Sequence, residues 1–210
     1  MNGLDYAILV ILVIGLLSGA IRGLIHSFFQ LAGLIIAIII AKKYYTYVSD
    51  FIISNTNIDN AIHSFINKKN VSEVLSNGGL LEELYLLLPT GRILNDFTGY
   101  ITMILINCIT LFITFTVVRI CIALLEIFLK EVFKLPVLST INHSGGAIFG
   151  LVETVLALLL VYAILVPVAT FGRFDIINKA IETSTLSKYF YSYNFILKWI
   201  FDNALNIILK

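Results

Sequence analysis

Charge is scarce in this chain. Asp, Glu, Lys and Arg make up 13% of its 210 residues, against roughly 25% in an ordinary soluble domain. The 14 basic and 13 acidic residues nearly cancel, to a net charge of +1, which leaves no electrostatic footprint for nucleic acid. Histidine is equally sparse. His26, His63 and His143 fall in three different segments without metal-ligand spacing, so neither a metal nor another cofactor is expected. His143-Ser144-Gly145 lacks the strand–turn–helix setting of a nucleophile elbow. Ser144 reads as a helix-start donor, His143 as a boundary residue, and no enzyme is expected. The two cysteines, Cys108 and Cys121, lie thirteen residues apart in one predicted helix. That is a rise of roughly 20 Å, beyond the separation of about 7 Å that a disulfide tolerates. The amino terminus shows no basic region ahead of its first apolar run and no A-x-A pattern. A retained helix is expected there rather than a cleaved signal.

What the chain has instead is apolar surface. It is 59% hydrophobic with a mean hydropathy of +0.97, more than one core of this size can hide, so the lipid bilayer must be part of its solvent. Residues 4–21 and 24–41 are two apolar runs separated by Arg22-Gly23, and the second ends at Lys42-Lys43-Tyr44-Tyr45, a membrane-boundary composition. Residues 97–118 form an uncharged run of twenty-two, and 154–172 one of nineteen, which Pro167 should end or bend. Between the pairs, residues 46–96 recover charge while Phe51, Ile58, Ile62, Phe65 and Ile66 recur at helical spacing. The tail, 173–210, has no run long enough to span, and its apolar stripe with Trp199 as anchor suits the interface.

The predicted fold is an all-α membrane protein. Four transmembrane helices are expected, with amphipathic interfacial helices between spans 2 and 3 and at the C-terminus. The chain divides accordingly into a hairpin (1–45), an interfacial segment (46–96), a second pair of spans (97–172) and an amphipathic tail (173–210).

Residues 135–165 organise the rest. Pro136 cannot continue a helix from upstream, and Ser139, Thr140 and Asn142 are types that satisfy orphan N–H groups at a helix start. Gly146 and Gly150 share one face, where a missing Cβ admits another helix. Gly15, Gly19 and Gly23 repeat that spacing in the first run, and Gly33, Ala37 and Ala41 in the second. The first two runs should therefore form a tight hairpin turning at residues 22–27 and packed through Gly15, Gly19 and Gly33.

Two charges stand out at the edges of the uncharged runs, Arg119 just after 97–118 and Glu153 just before 154–172, outside one common boundary if lipid covers only those runs. Arg119 lies 14 residues from the end of its helix near Phe133, and Glu153 lies 13 from a start near Thr140. At about 21 and 20 Å from their common turn, they are expected at one depth, as an ion pair. Arg22 has two readings: it snorkels to phosphate headgroups, or it caps carbonyls at the end of the first helix. Asp5 reads as an interface residue at a helix start.

Several stretches share an order with a known family. They are Asp5 before an apolar helix, Arg22-Gly23-Leu24-Ile25, and Gly33-Leu34-Ile35-Ile36-Ala37 with Ala41. Leu135-Pro136, Ile141-Asn142, Gly146-Ala147-Ile148-Phe149-Gly150 and Ser184-x-Leu186 follow. In this layout the chain resembles the colicin V production protein family (CvpA). The resemblance implies a multi-pass protein of the bacterial cytoplasmic (inner) membrane, a non-enzymatic accessory in colicin V or toxin production, secretion and envelope maintenance. Its partners would be a second copy or a secretion or envelope protein. The alternative is a small oligomeric transporter or channel subunit using Arg119 and Glu153 along a polar path.

Overall fold

The computed structural model describes residues 2–67, 97–132, 139–172 and 174–208. Every regular element among them is a helix. In chain order they are α1 (Gly3–Arg22), α2 (Leu24–Asn55), α3 (Ile58–Asn67), α4 (Phe97–Val132), α5 (Ser139–Gly172), α6 (Asp175–Thr183), α7 (Thr185–Ser192) and α8 (Phe195–Ile208). α1, α2, α4 and α5 are long and apolar enough to cross a membrane. Even the shortest, the 20-residue α1, rises about 30 Å, the thickness of a bilayer's hydrocarbon core. The turn expected at Pro136, the interfacial stretch 68–96 and Arg173 lie outside the described residues.

The helix ends differ from the sequence expectation in three places, each with a local cause. The bend between α1 and α2 occupies one residue, Gly23, whose φ of 84° only glycine adopts without strain, rather than residues 22–27. α2 does not stop at the basic and aromatic boundary near 45; with no Gly or Pro between residues 45 and 55, it runs on to Asn55. α5 continues through Pro167 to Gly172. A proline deprives the carbonyl four residues back of its donor, here that of Ala163, and the buried Cys108 thiol donates to that oxygen at 3.8 Å.

The chain groups into two compact units, neither of them contiguous in sequence: residues 6–44 with 111–158, and residues 1–5 with 45–110 and 159–210. The first is held by backbone-to-backbone approach. Gly15 faces Thr154, Gly19 faces Gly146 and Gly150, and Gly23 faces Asn142, so α1 and α5 run antiparallel. The glycines of α1 thus meet α5, where the hairpin reading turned Gly15 and Gly19 toward the second helix. On α2, Gly33, Ala37 and Ala41 are buried, a small-residue face on a helix whose Ile35, Ile36 and Ile39 point outward.

The second unit has an apolar core. Ile101 and Leu105 of α4 pack with Val168 and Phe171 of α5 and with Ile62 of α3, so the short α3 meets the helical body through Ile62. The tail is three helices, because polar residues cap each restart. Ser184 accepts from Ser187 N at 3.0 Å to begin α7, and Asn194 accepts from Ile196 N and Leu197 N at 3.1 Å to begin α8. Asn194 also donates to the Leu159 carbonyl of α5 at 2.7 Å, and Tyr162 OH shares a 2.6 Å bond with Ser187 Oγ. Ile181, Ile196, Leu197, Ile200 and Phe201 are buried, while Trp199 meets the edge of Tyr45 at 5.0 Å.

Candidate functional site

The charges within the spans of the first unit converge on one carboxylate. Glu153 Oε1 lies 3.9 Å from Arg119 Nη2, and its Oε2 lies 3.5 Å from Arg22 Nη1. Three helices, α1, α4 and α5, each supply one group. Their side chains retain 25, 32 and 19% exposure for Arg119, Arg22 and Glu153, so the cluster is partly open rather than sealed in a core.

Backbone direction explains why Arg22 joins it. Side chains of a helix lean toward its own N-terminus. α1 and α5 are antiparallel, so Arg22 leans back along α1 while Glu153 leans back along α5, and the two approach. Arg22 Nε donates to Ser18 Oγ at 2.9 Å, and its Nη2 donates to the same hydroxyl. The guanidinium folds back along α1, onto Ser18 and toward Glu153.

Beside this cluster, α5 holds the bend between α1 and α2. Asn142 Oδ1 accepts from Leu24 N at 2.6 Å, and so caps α2. The sequence suggested that Asn142 serves the start of its own helix, but α5 begins at Ser139, so Asn142 lies inside the first turn with its side chain able to reach a neighbour. His143 Nδ1 donates to the Ala20 carbonyl at 2.7 Å, near the end of α1. Ser27, fully buried, donates to the Gly19 carbonyl at 3.2 Å. The two backbone groups parted by the Gly23 break, Ala20 O and Leu24 N, thus find their partners on α5.

In the second unit, Asp5 is buried. Its Oδ1 accepts from Ser184 Oγ at 2.6 Å and from Leu186 N at 2.9 Å. Its Oδ2 accepts from Asn2 N at 2.7 Å. Asn2 Nδ2 donates in turn to the Ala180 carbonyl at 2.6 Å and to Thr183 Oγ1 at 2.9 Å. The amino terminus is therefore fastened to the joint between α6 and α7. Ser184-x-Leu186 is visible in the sequence as a pattern, but nothing there pairs it with Asp5.

On α4, Asn107, Thr110 and Thr114 are buried. Thr110 donates to the Ile106 carbonyl of its own helix at 2.8 Å, whereas both amide atoms of Asn107 are buried without a hydrogen-bond partner. Among the described residues no three His, Cys, Asp or Glu side chains form a group that could hold a metal ion.

Four helices of spanning length, with a carboxylate shared by two arginines from different helices, define a multi-pass α-helical membrane protein. The chain belongs to the Colicin V production protein family, whose family model matches residues 4–194. The match takes in both the charge cluster and the Asp5 fastening. No curated protein and no solved structure matches the chain.

Proposed function

We propose that this protein is a non-enzymatic accessory of colicin V or toxin production and secretion, and of envelope maintenance, in the bacterial cytoplasmic membrane. The observation that carries the reading is the family match over residues 4–194. The architecture supports it: glycine contacts between α1 and α5 hold the first unit, and caps at Ser184 and Asn194 hold the tail on the second. Such a body presents its surfaces to lipid and to a second copy or a partner of the secretion or envelope machinery. The test is genetic. A strain lacking the gene should lose export of small peptide toxin and become sensitive to bile salts, and the wild-type gene should restore both. A deletion strain with normal export and normal bile-salt tolerance removes the proposal.

A second reading is a small oligomeric transporter or channel subunit. What favours it is that Arg119 and Glu153 lie inside candidate spans, where ionised groups are costly and commonly functional. Conductance or solute uptake in liposomes, lost in Glu153→Gln, separates it from the accessory role.

A further inference from the structure

We propose that Arg22 and Arg119, with Glu153 between them, form a binding site for a phosphate group, and that its occupant is the headgroup of an anionic phospholipid. The proposal stands apart from the accessory role, because lipid preference is read on the purified protein and toxin export in cells.

Three observations carry it. First, two guanidiniums from different helices converge on one point, the geometry that recognises phosphate. Glu153 offers each a different oxygen, at 3.5 and 3.9 Å, so the carboxylate is divided between them rather than forked to either. Arg22 uses three of its N–H groups, two on Ser18 and one toward Glu153. A guanidinium carries five, so donors remain.

Second, the site is open, and its rim is apolar. The three side chains keep 19 to 32% exposure, and Leu17, Ile21, Ile120, Ile148 and Val152 on the same helices are exposed. A free inorganic anion gains nothing from such a rim, whereas the acyl chains of a phospholipid cover it as its headgroup enters.

Third, the site lies close to one end of a spanning helix. Arg22 is the last residue of α1, and its guanidinium folds back about one turn, onto Ser18. A 20-residue helix rises about 30 Å, the hydrocarbon thickness, so a headgroup phosphate of that leaflet needs to enter by only about a turn of helix to meet it.

Native mass spectrometry of the detergent-purified protein tests this, with phosphatidylglycerol and phosphatidylcholine of identical acyl chains. Phosphatidylglycerol should be retained about tenfold more tightly, because both lipids carry the phosphate but the choline cation of the second is set against two guanidiniums. Arg22→Gln should lose the preference, and Glu153→Gln, which releases both guanidiniums from the carboxylate, should keep or strengthen it. Thermal unfolding of each preparation shows that the variant compared is folded. Should Arg22→Gln fail to fold, Arg22→Lys carries the test, since it keeps the charge and loses the fork; the preference should then weaken. Inorganic phosphate in excess separates the sources. Displacement of phosphatidylglycerol assigns recognition to the phosphate group alone, and persistence assigns it to headgroup and acyl chains together. Equal retention of the two lipids by the wild type, or an unchanged preference in folded Arg22→Gln or Arg22→Lys, overturns the proposal.

Discussion

Gly19 and Gly150 pass so closely that a methyl group on Gly19 would lie 2.7 Å from the Gly150 Cα. The obstacle is backbone, which cannot rotate aside. Gly19→Ala and Gly150→Ala should each destabilise the α1–α5 contact by about 1–3 kcal/mol, the range for overpacking, and lower the amount of protein in membranes. Gly3, with nothing within 4 Å of an added Cβ, is the internal control, and Gly3→Ala should leave the level unchanged. Equal abundance of all three variants would show that the close approach carries no energy.

The bend at Gly23 should respond to two substitutions for different reasons. Gly23→Ala places a Cβ at a φ of 84° and against the Asn142 side chain, so strain and contact add. Asn142→Ala leaves Leu24 N without its acceptor, a loss of about 1 kcal/mol for a missing helix cap. Asn142→Asp keeps the accepting oxygen and should retain most of the stability. Unfolding midpoints in detergent read all three, and Asn142→Ala matching the wild type would remove Asn142 as the cap.

The four spans were legible because an apolar run of about eighteen residues or more matches the thickness of a bilayer's hydrocarbon core. The proximity of Arg119 and Glu153 was legible as well, since distances from a shared turn convert directly into depth. The third member of that cluster was not. Nothing in the sequence says that Gly15 and Gly19 meet α5, and only the resulting antiparallel pairing aims Arg22 at Glu153. Asp5 shows the same limit more sharply: its partners Ser184 and Leu186 lie about 180 residues away. Near a helix start, a buried acceptor and an interfacial carboxylate look identical in sequence.

Because Glu153 is shared, charge reversal should be asymmetric. Arg119→Glu with Glu153→Arg restores that pair but sets Arg22 against a new positive charge on α5. The double variant should recover only part of what the single variants lose. Double-mutant cycles for Arg22–Glu153 and for Arg119–Glu153 should each give couplings of about 0.5–3 kcal/mol, and adding Arg22→Gln to the swap should improve it. Full recovery by the swap with Arg22 present would exclude Arg22 from the energetics.

The last expectation concerns the fastening of the amino terminus to the tail. Asp5 satisfies a hydroxyl and a backbone amide at the joint between α6 and α7, and Asn2 reaches the carbonyl of Ala180 on the same joint. Removing the carboxylate leaves Ser184 Oγ and Leu186 N to find other partners in a buried place. Asp5→Ala should therefore be clearly destabilising, since a buried donor left unmet loses its solvation without a replacement. Asp5→Asn retains one accepting oxygen but loses the charge, and its amide nitrogen cannot accept from Asn2 N, so it should fall between Asp5→Ala and the wild type. Ser184→Ala removes both the bond to Asp5 and the cap on Ser187 N; it should loosen α7 while leaving Asn2 on Ala180. Hydrogen exchange distinguishes these outcomes from a general loss of fold. In Asp5→Ala the amides of Leu186 and Ser187 should exchange faster, while those of α4 around Ile104 and Leu105, in the core of the same unit, stay protected. Faster exchange throughout the unit would mean that Asp5 supports the whole fold. Unchanged exchange at Leu186 and Ser187 would mean that the tail is held by Tyr162, Asn194 and its buried apolar face without help from the amino terminus.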